Sequence, residues 1–191
     1  ETEFTAEDHY IRGLNEYSAK RFDAALTNFD TAISIATTES APPEKLSDYM
    51  FARALTLGDL NRHDEEIKGY EQIDEHFGKY PDPTLRRLVG KSLFNKGFAL
   101  SQLNRSQEEI EIYDEVERRY SSDNTPSLRE LTANALVNKG ITLKQLNRPE
   151  EAIEIFERAE KRYANDDNPE VQLILMHARE HLREIKGNKK E

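Results

Sequence analysis

Apolar side chains recur along this chain at steps of three and four residues. Tyr10, Leu14 and Tyr17 form one such stripe, and Phe22, Ala25, Leu26, Phe29, Ala32 and Ile33 form the next. A period near 3.6 with charged residues between predicts amphipathic α-helices. The pattern also recurs at a larger scale. Asn138 to Phe156 almost copies Asn95 to Tyr113, 43 residues earlier. A weaker copy runs from Ala52 through Leu60-Asn61-Arg62 to Tyr70, and a fainter one from Ile11 through Arg21-Phe22 to Phe29. One supersecondary unit is therefore written four times. The expectation is an all-α solenoid of four helical hairpins plus a C-terminal capping helix, nine helices in a single repeat domain. Its repeats are placed at 5–39, 42–80, 82–122 and 125–166, with a cap helix at 168–186 and a polar, frayed tail at 187–191.

The breaks between stripes carry their own signals. Thr5-Ala-Glu-Asp8 reads as a capping box with Asp as the reciprocal partner, opening a helix that reaches about Ala19. The second helix begins at Phe22 and ends near Thr37, before a segment whose prolines, Pro42 and Pro43, cannot continue it. Asp82-Pro83, Thr125-Pro126 and Asn168-Pro169 each put a side-chain acceptor at the cap and a proline at the first helical position. Within the later repeats the turn is Leu-Asn-Arg, where Asn61, Asn104 and Asn147 can take the left-handed conformation that closes a helix. Short turns force antiparallel neighbours. Pro169 to about Ile185 then forms a ninth helix whose Arg179, Arg183 and Glu184 suit a solvated end.

Composition narrows the function. The 191 residues carry 27 Lys plus Arg against 37 Asp plus Glu, a net charge of −10, which repels phosphate backbones and anionic membrane surfaces. Nucleic acid is not an expected partner, and no apolar run reaches membrane-spanning length. Without cysteine there are no disulfides, thiolates or Cys-based zinc sites, and the compartment stays open. A cytoplasmic location is slightly favoured over export after signal removal. Glu1 is not an initiator Met, which reads as a processed or trimmed chain.

In each repeat a small residue of the first helix (Gly13, Ala54, Gly97, Gly140) lies opposite an aromatic of the second (Phe29, Tyr70, Tyr113, Phe156), so that the helices approach closely. This arrangement resembles the tetratricopeptide repeat family, whose pattern is a small residue in the first helix, then Ala and an aromatic in the second. Glu66 departs from it, standing where Ala is usual. The family unit is commonly about 34 residues, so the chain resembles the variant with longer hairpins. The resemblance implies a right-handed superhelix whose first helices line a concave groove that binds a peptide or partner helix, and it implies no catalysis.

Helix geometry points to the same groove. Phe94 and Phe98 lie one residue past Leu93 and Gly97, about 100° round from the hairpin-facing stripe. Tyr10 with Leu14, Phe51 with Leu55, and Val137 with Ile141 continue this second apolar row, Tyr17 extends it, and Asn95 and Asn138 border it with amides suited to a peptide backbone. His177 and His181 share a face of the last helix, but a pair without a third ligand does not make a zinc site, and no metal or cofactor is expected. The carboxylate-clamp members of the resembling family carry Lys and Arg at this spacing; here the places read His, which leaves weak, acid-dependent anion binding. The acid-rich second helices read as a solvated face laced by the pairs Asp114–Arg118, Glu154–Arg158 and Glu157–Lys161. Phosphate-binding, hydrolase and metalloprotease motifs are absent from the sequence. The expected role is a non-enzymatic scaffold for a protein or peptide partner. The alternatives are self-association through the terminal helices and a regulatory lobe of a larger protein or enzyme.

Overall fold

A computed structural model describes residues 4–188. Among the described residues the chain forms nine α-helices: α1 (Ala6–Ser18), α2 (Phe22–Thr38), α3 (Pro43–Asp59), α4 (His63–Phe77), α5 (Pro83–Gln102), α6 (Ser106–Tyr120), α7 (Pro126–Gln145), α8 (Pro149–Tyr163) and α9 (Pro169–Asn188). The expected all-α repeat class is found. The helices gather into two compact units, Glu1–Leu103 with α1 to α5 and Asn104–Glu191 with α6 to α9.

Cap chemistry places most boundaries. Thr5 Oγ1 accepts from Asp8 N, and Asp8 accepts in return from Thr5 N at 2.9 Å, completing the capping box. Asp82 accepts from the amides of Thr84 and Leu85, and Asn168 from Glu170. Thr125 departs from expectation: its side chain caps nothing, and Asp123 instead accepts from its amide at 2.9 Å. Asn61, Asn104 and Asn147 all sit at positive φ, 56°, 55° and 56°, as their turns require. Lys20 holds the equivalent place in the first turn at 58°, and Ser40 ends α2 at 54°, neither of them a residue that favours this conformation. After three of the turns the arginine clamps a glutamate of the next helix with two bonds: Arg62 to Glu65, Arg105 to Glu108 and Arg148 to Glu151. Two bounds shift. α1 stops at Ser18, and α9 runs through Gly187 and Asn188, where a frayed tail was expected; residues 189–191 lie outside the described residues.

In the first unit α1 pairs with α2 and α3 with α4, while α3 also contacts α1 and α5. Phe29, Leu57, Tyr70 and Ile73 are fully buried. The small-against-aromatic arrangement is explicit at Gly13, where an added Cβ would lie 2.5 Å from Phe29 Cε1. In the second unit α7 packs on α6, α8 and α9, and Gly140 meets Phe156 in the same way, again at 2.5 Å. Val171, Leu175 and Ala178 of α9 are fully buried in that core.

The charged surface is wired differently from the expected helix-internal pairs. Glu154 does meet Arg158, at 3.2 Å. Asp114 instead pairs with Lys139 of α7, Arg118 with Glu115, and Glu157 with Lys186 of α9. Arg118 stays on its own helix one step nearer, while Asp114 and Glu157 turn to a neighbouring helix because the long stems of Lys139 and Lys186 reach across the packing groove.

Candidate functional site

Because α1, α3 and α5 pack in succession in the first unit, the residues of the second apolar row share one face of it. Its two ends differ. Tyr10 is drawn into the core, its ring 4.6 Å from Tyr49 and 5.8 Å from Phe29, and Phe51 lies 6.0 Å from Tyr70. Phe94 is half-buried, whereas Leu14 is 38% and Phe98 57% exposed. The row therefore opens toward the C-terminal ends of the three helices. There a pocket of about 250 Å³ lies between Tyr17, Leu55, Asn95 and Phe98, four of the residues singled out in the sequence.

The rest of the lining was not foreseen: Gly58, Asp59, His63, Glu66 and Tyr70. Glu66 occupies the place that Ala25 and Ala152 hold in the outer repeats, and its carboxylate is almost wholly buried. Its Oε1 accepts from Tyr70 Oη at 3.2 Å, and its Oε2 lies 2.9 Å from His63 Nδ1. Gly58 leaves the room for it, since a Cβ there would fall 2.7 Å from Glu66 Oε1. Asn95 Nδ2 donates to Tyr70 Oη at 3.4 Å, so the amide expected to face a ligand also ties α5 to α4. Across the pocket Tyr17 Oη donates to Asp59 Oδ2 at 2.6 Å. That hydrogen bond pushes the Tyr17 phenol up to about 12. Burial, then the nearby Glu66 charge, push the Tyr70 phenol up as well. Both phenols thus keep their protons at neutral pH and act as donors to carboxylates. The arrangement presents hydrogen-bond acceptors beneath an apolar rim, which suits non-covalent recognition.

The second unit repeats some of these relations and drops others. Asn138 Nδ2 donates to Tyr113 Oη at 3.5 Å, and Lys139 bonds Asp114 beside it, as Lys96 bonds Glu71 at 2.8 Å beside Asn95. Val137 does not extend an open row: it is buried in the core, and Ile141 packs against that core. Helix α9 packs on α7, and Asn138 and Ile141 are left partly buried. His177 is exposed, but His181 stacks on Phe156 with centroids 5.6 Å apart and planes 16° from parallel. Its Nδ1 lies 3.4 Å from Lys144 Nζ and 3.5 Å from Glu184 Oε2. The two histidines therefore do different things. Among the described residues no three His, Cys, Asp or Glu side chains gather as a metal site would require. Glu109 is the second unit's counterpart of Glu66, buried and accepting from Thr142 Oγ1 at 2.9 Å. Burial pushes its carboxyl above the usual glutamate range, with the Thr142 bond opposing in part.

The tetratricopeptide repeat model matches residues 133–166, which cover α7 from Ala133 onward and all of α8. No curated protein sequence matches significantly. Among solved structures, the apo form of RapI superposes with a TM-score of 0.83 at 13% identity over 97% of this chain, which spans 49% of that chain's length. TPR-like repeats of a Podosopora anserina protein described as a kinesin light chain superpose with TM-scores of 0.64 and 0.62, each at 13% identity, over 98% and 100% of this chain and 96% and 100% of theirs. At such identities the likeness speaks for the helical-repeat fold alone. No helix among the described residues is long and apolar enough to cross a membrane.

Proposed function

We propose that the chain is a non-enzymatic scaffold that binds a peptide or an extended partner segment, since residues 133–166 match the tetratricopeptide repeat model and the helical-repeat fold of the solved structures extends over nearly the whole chain. Proteins of this repeat class bind protein partners through their helical faces. The observation that carries the reading is the open apolar end of the first-helix face in the first unit. Phe98 and Leu14 stand exposed there beside a pocket whose floor is polar and hydrogen-bonded. Contiguous exposed apolar surface rimmed by polar groups marks interaction sites. Tyr10, Phe51 and Phe94 support that surface from below. In the second unit Asn138, Ile141, His177 and His181 form the counterpart, with Ile141 and His181 already engaged by the core.

The test is selection of a phage-displayed random dodecapeptide library on the chain, with counter-selection on Phe98→Ala. Enrichment of peptides that bind the wild-type chain and lose affinity for Phe98→Ala, at an unchanged melting temperature, supports the reading. Peptides that bind both equally place recognition elsewhere and overturn it. A second reading, self-association, rests on Leu173 and Met176, which are 47% and 46% exposed on the outer side of α9. Light scattering decides it: a mass that stays monomeric up to high concentration removes that reading.

A further inference from the structure

We infer that the pocket of the first unit takes the cationic side chain of a lysine or arginine in the bound segment, an inference that rests on the partner-binding reading above. Two carboxylates, Asp59 and Glu66, line one space of about 250 Å³, enough for a single long side chain. Each carboxylate offers about four lone-pair directions. In the bonds described above, Glu66 uses two of them, to Tyr70 and His63, and Asp59 one, to Tyr17. These bonds take up three of about eight lone-pair directions, so the two carboxylates keep acceptor capacity beyond them. Gly58 leaves room for the Glu66 carboxylate, which a side chain there would crowd.

The other walls fit the rest of such a side chain. Leu55 and the exposed Phe98 give an alkyl stem an apolar surface, and the Phe98 ring gives a guanidinium or ammonium a π face. His63 is the one lining residue able to carry positive charge, and it already faces Glu66. An acidic side chain entering here would meet two carboxylates, and an apolar one would strip them of water without replacing it. The net charge of −10 adds long-range attraction for a basic segment.

The experiment titrates the full chain into fluorescein-labelled heptapeptide pools that differ only in a fixed central residue: Lys, Arg, norleucine or Glu. The Lys and Arg pools are expected to bind at least about tenfold more tightly than the norleucine pool, the effect of one charge-assisted bond. Asp59→Asn and Glu66→Gln keep the shape of each group and are expected to bring the Lys pool to the norleucine level. Asp59 is exposed, so Asp59→Asn carries the test even if the buried Glu66→Gln fails to fold. Binding that Phe98→Ala abolishes but that is equal for Lys and norleucine, or a Lys preference that survives both substitutions, overturns the inference and leaves the partner-binding reading standing. Absence of binding by every pool overturns both.

Discussion

Asn95 and Tyr70, 25 residues apart, are joined by a hydrogen bond of 3.4 Å from the amide to the phenol, and Asn138 and Tyr113 repeat the bond at the same spacing. Where the aromatic of the preceding repeat is Phe, the place of the asparagine is not Asn: Ala52 holds it after Phe29 and His181 after Phe156. The asparagine is thus matched to a hydroxyl that needs an acceptor or donor, while the phenylalanine of the last joint is matched to a stacked ring. Both joints lie at the length limit for a hydrogen bond, so each is a weak one. Asn95→Ala and Asn138→Ala should each cost about 0.5 to 1 kcal/mol in urea denaturation. Tyr70→Phe combined with Asn95→Ala should cost less than the sum of the two single changes. Strict additivity would show that the bond contributes nothing.

Close approach sets the second expectation. Gly140→Ala puts a methyl group within 2.5 Å of the Phe156 ring, between helices that cannot both yield. A loss of about 1 to 3 kcal/mol by overpacking follows. Gly187→Ala is the control: nothing lies within 4 Å of the added methyl, and the backbone is helical, so stability should rise slightly or stay level. Thermal melts of the two variants distinguish them by sign.

Glu109 makes stability depend on pH in a direction opposite to the usual carboxylate. Its carboxyl is raised in the folded chain by burial, so the folded state binds the proton more tightly than the unfolded state does. The cost of ionising it is absent below the ordinary glutamate range and appears in full once the pH passes the raised value. Glu109→Gln retains an acceptor for Thr142 and carries no charge. It should therefore match the wild type in acid and exceed its stability at neutral pH, read as the difference in melting temperature between the two proteins across pH 4 to 8. A constant difference would contradict this.

Removal of residues 169–191 deletes α9 and uncovers the faces of α7 and α8 that Val171, Leu175 and Ala178 fill. Each such buried aliphatic contributes roughly 1.5 to 3 kcal/mol by area for the larger ones. The truncated chain should melt at lower temperature and bind a hydrophobic dye. An unchanged melting curve would show that α9 is not part of the cooperative unit.

The helices were legible because their signals are local. A capping box, a proline at the first position and an asparagine able to adopt positive φ act within a few residues, and Thr5, Asp82 and Asn61 all do as the sequence indicates. Thr125 does not cap α7 with its side chain; Asp123, two residues earlier, accepts from the Thr125 amide itself and fixes the turn before the helix. Lys20 is not a residue that favours the left-handed backbone it adopts; bonds from its amide to Tyr17 O and from the Arg21 amide to Glu16 O close the helix around it. The pocket was half legible. Periodicity gives the direction in which Leu55 and Phe98 point, and the misfit of Glu66 against the repeat pattern was visible. What the sequence could not show is that Gly58 sits against that carboxylate, or that Tyr17 and Asp59 meet from different hairpins. Val137 was misassigned because whether a row stays open depends on the next helix to cover it.

The matching of tyrosine to asparagine and of phenylalanine to alanine or histidine gives the chain a memory of its own order. Each repeat carries a key on its second helix and a lock for the preceding repeat on its first. A duplicated block of 43 residues cut from the middle would bring both halves and fit beside its parent without new mutation. A shuffled array would not, because a Phe placed before an Asn removes the oxygen that the amide bonds, and a Tyr placed before an Ala loses the amide that donates to its hydroxyl. Growth by copying the interior is therefore easy for this architecture, and exchange of its first and last joints is not.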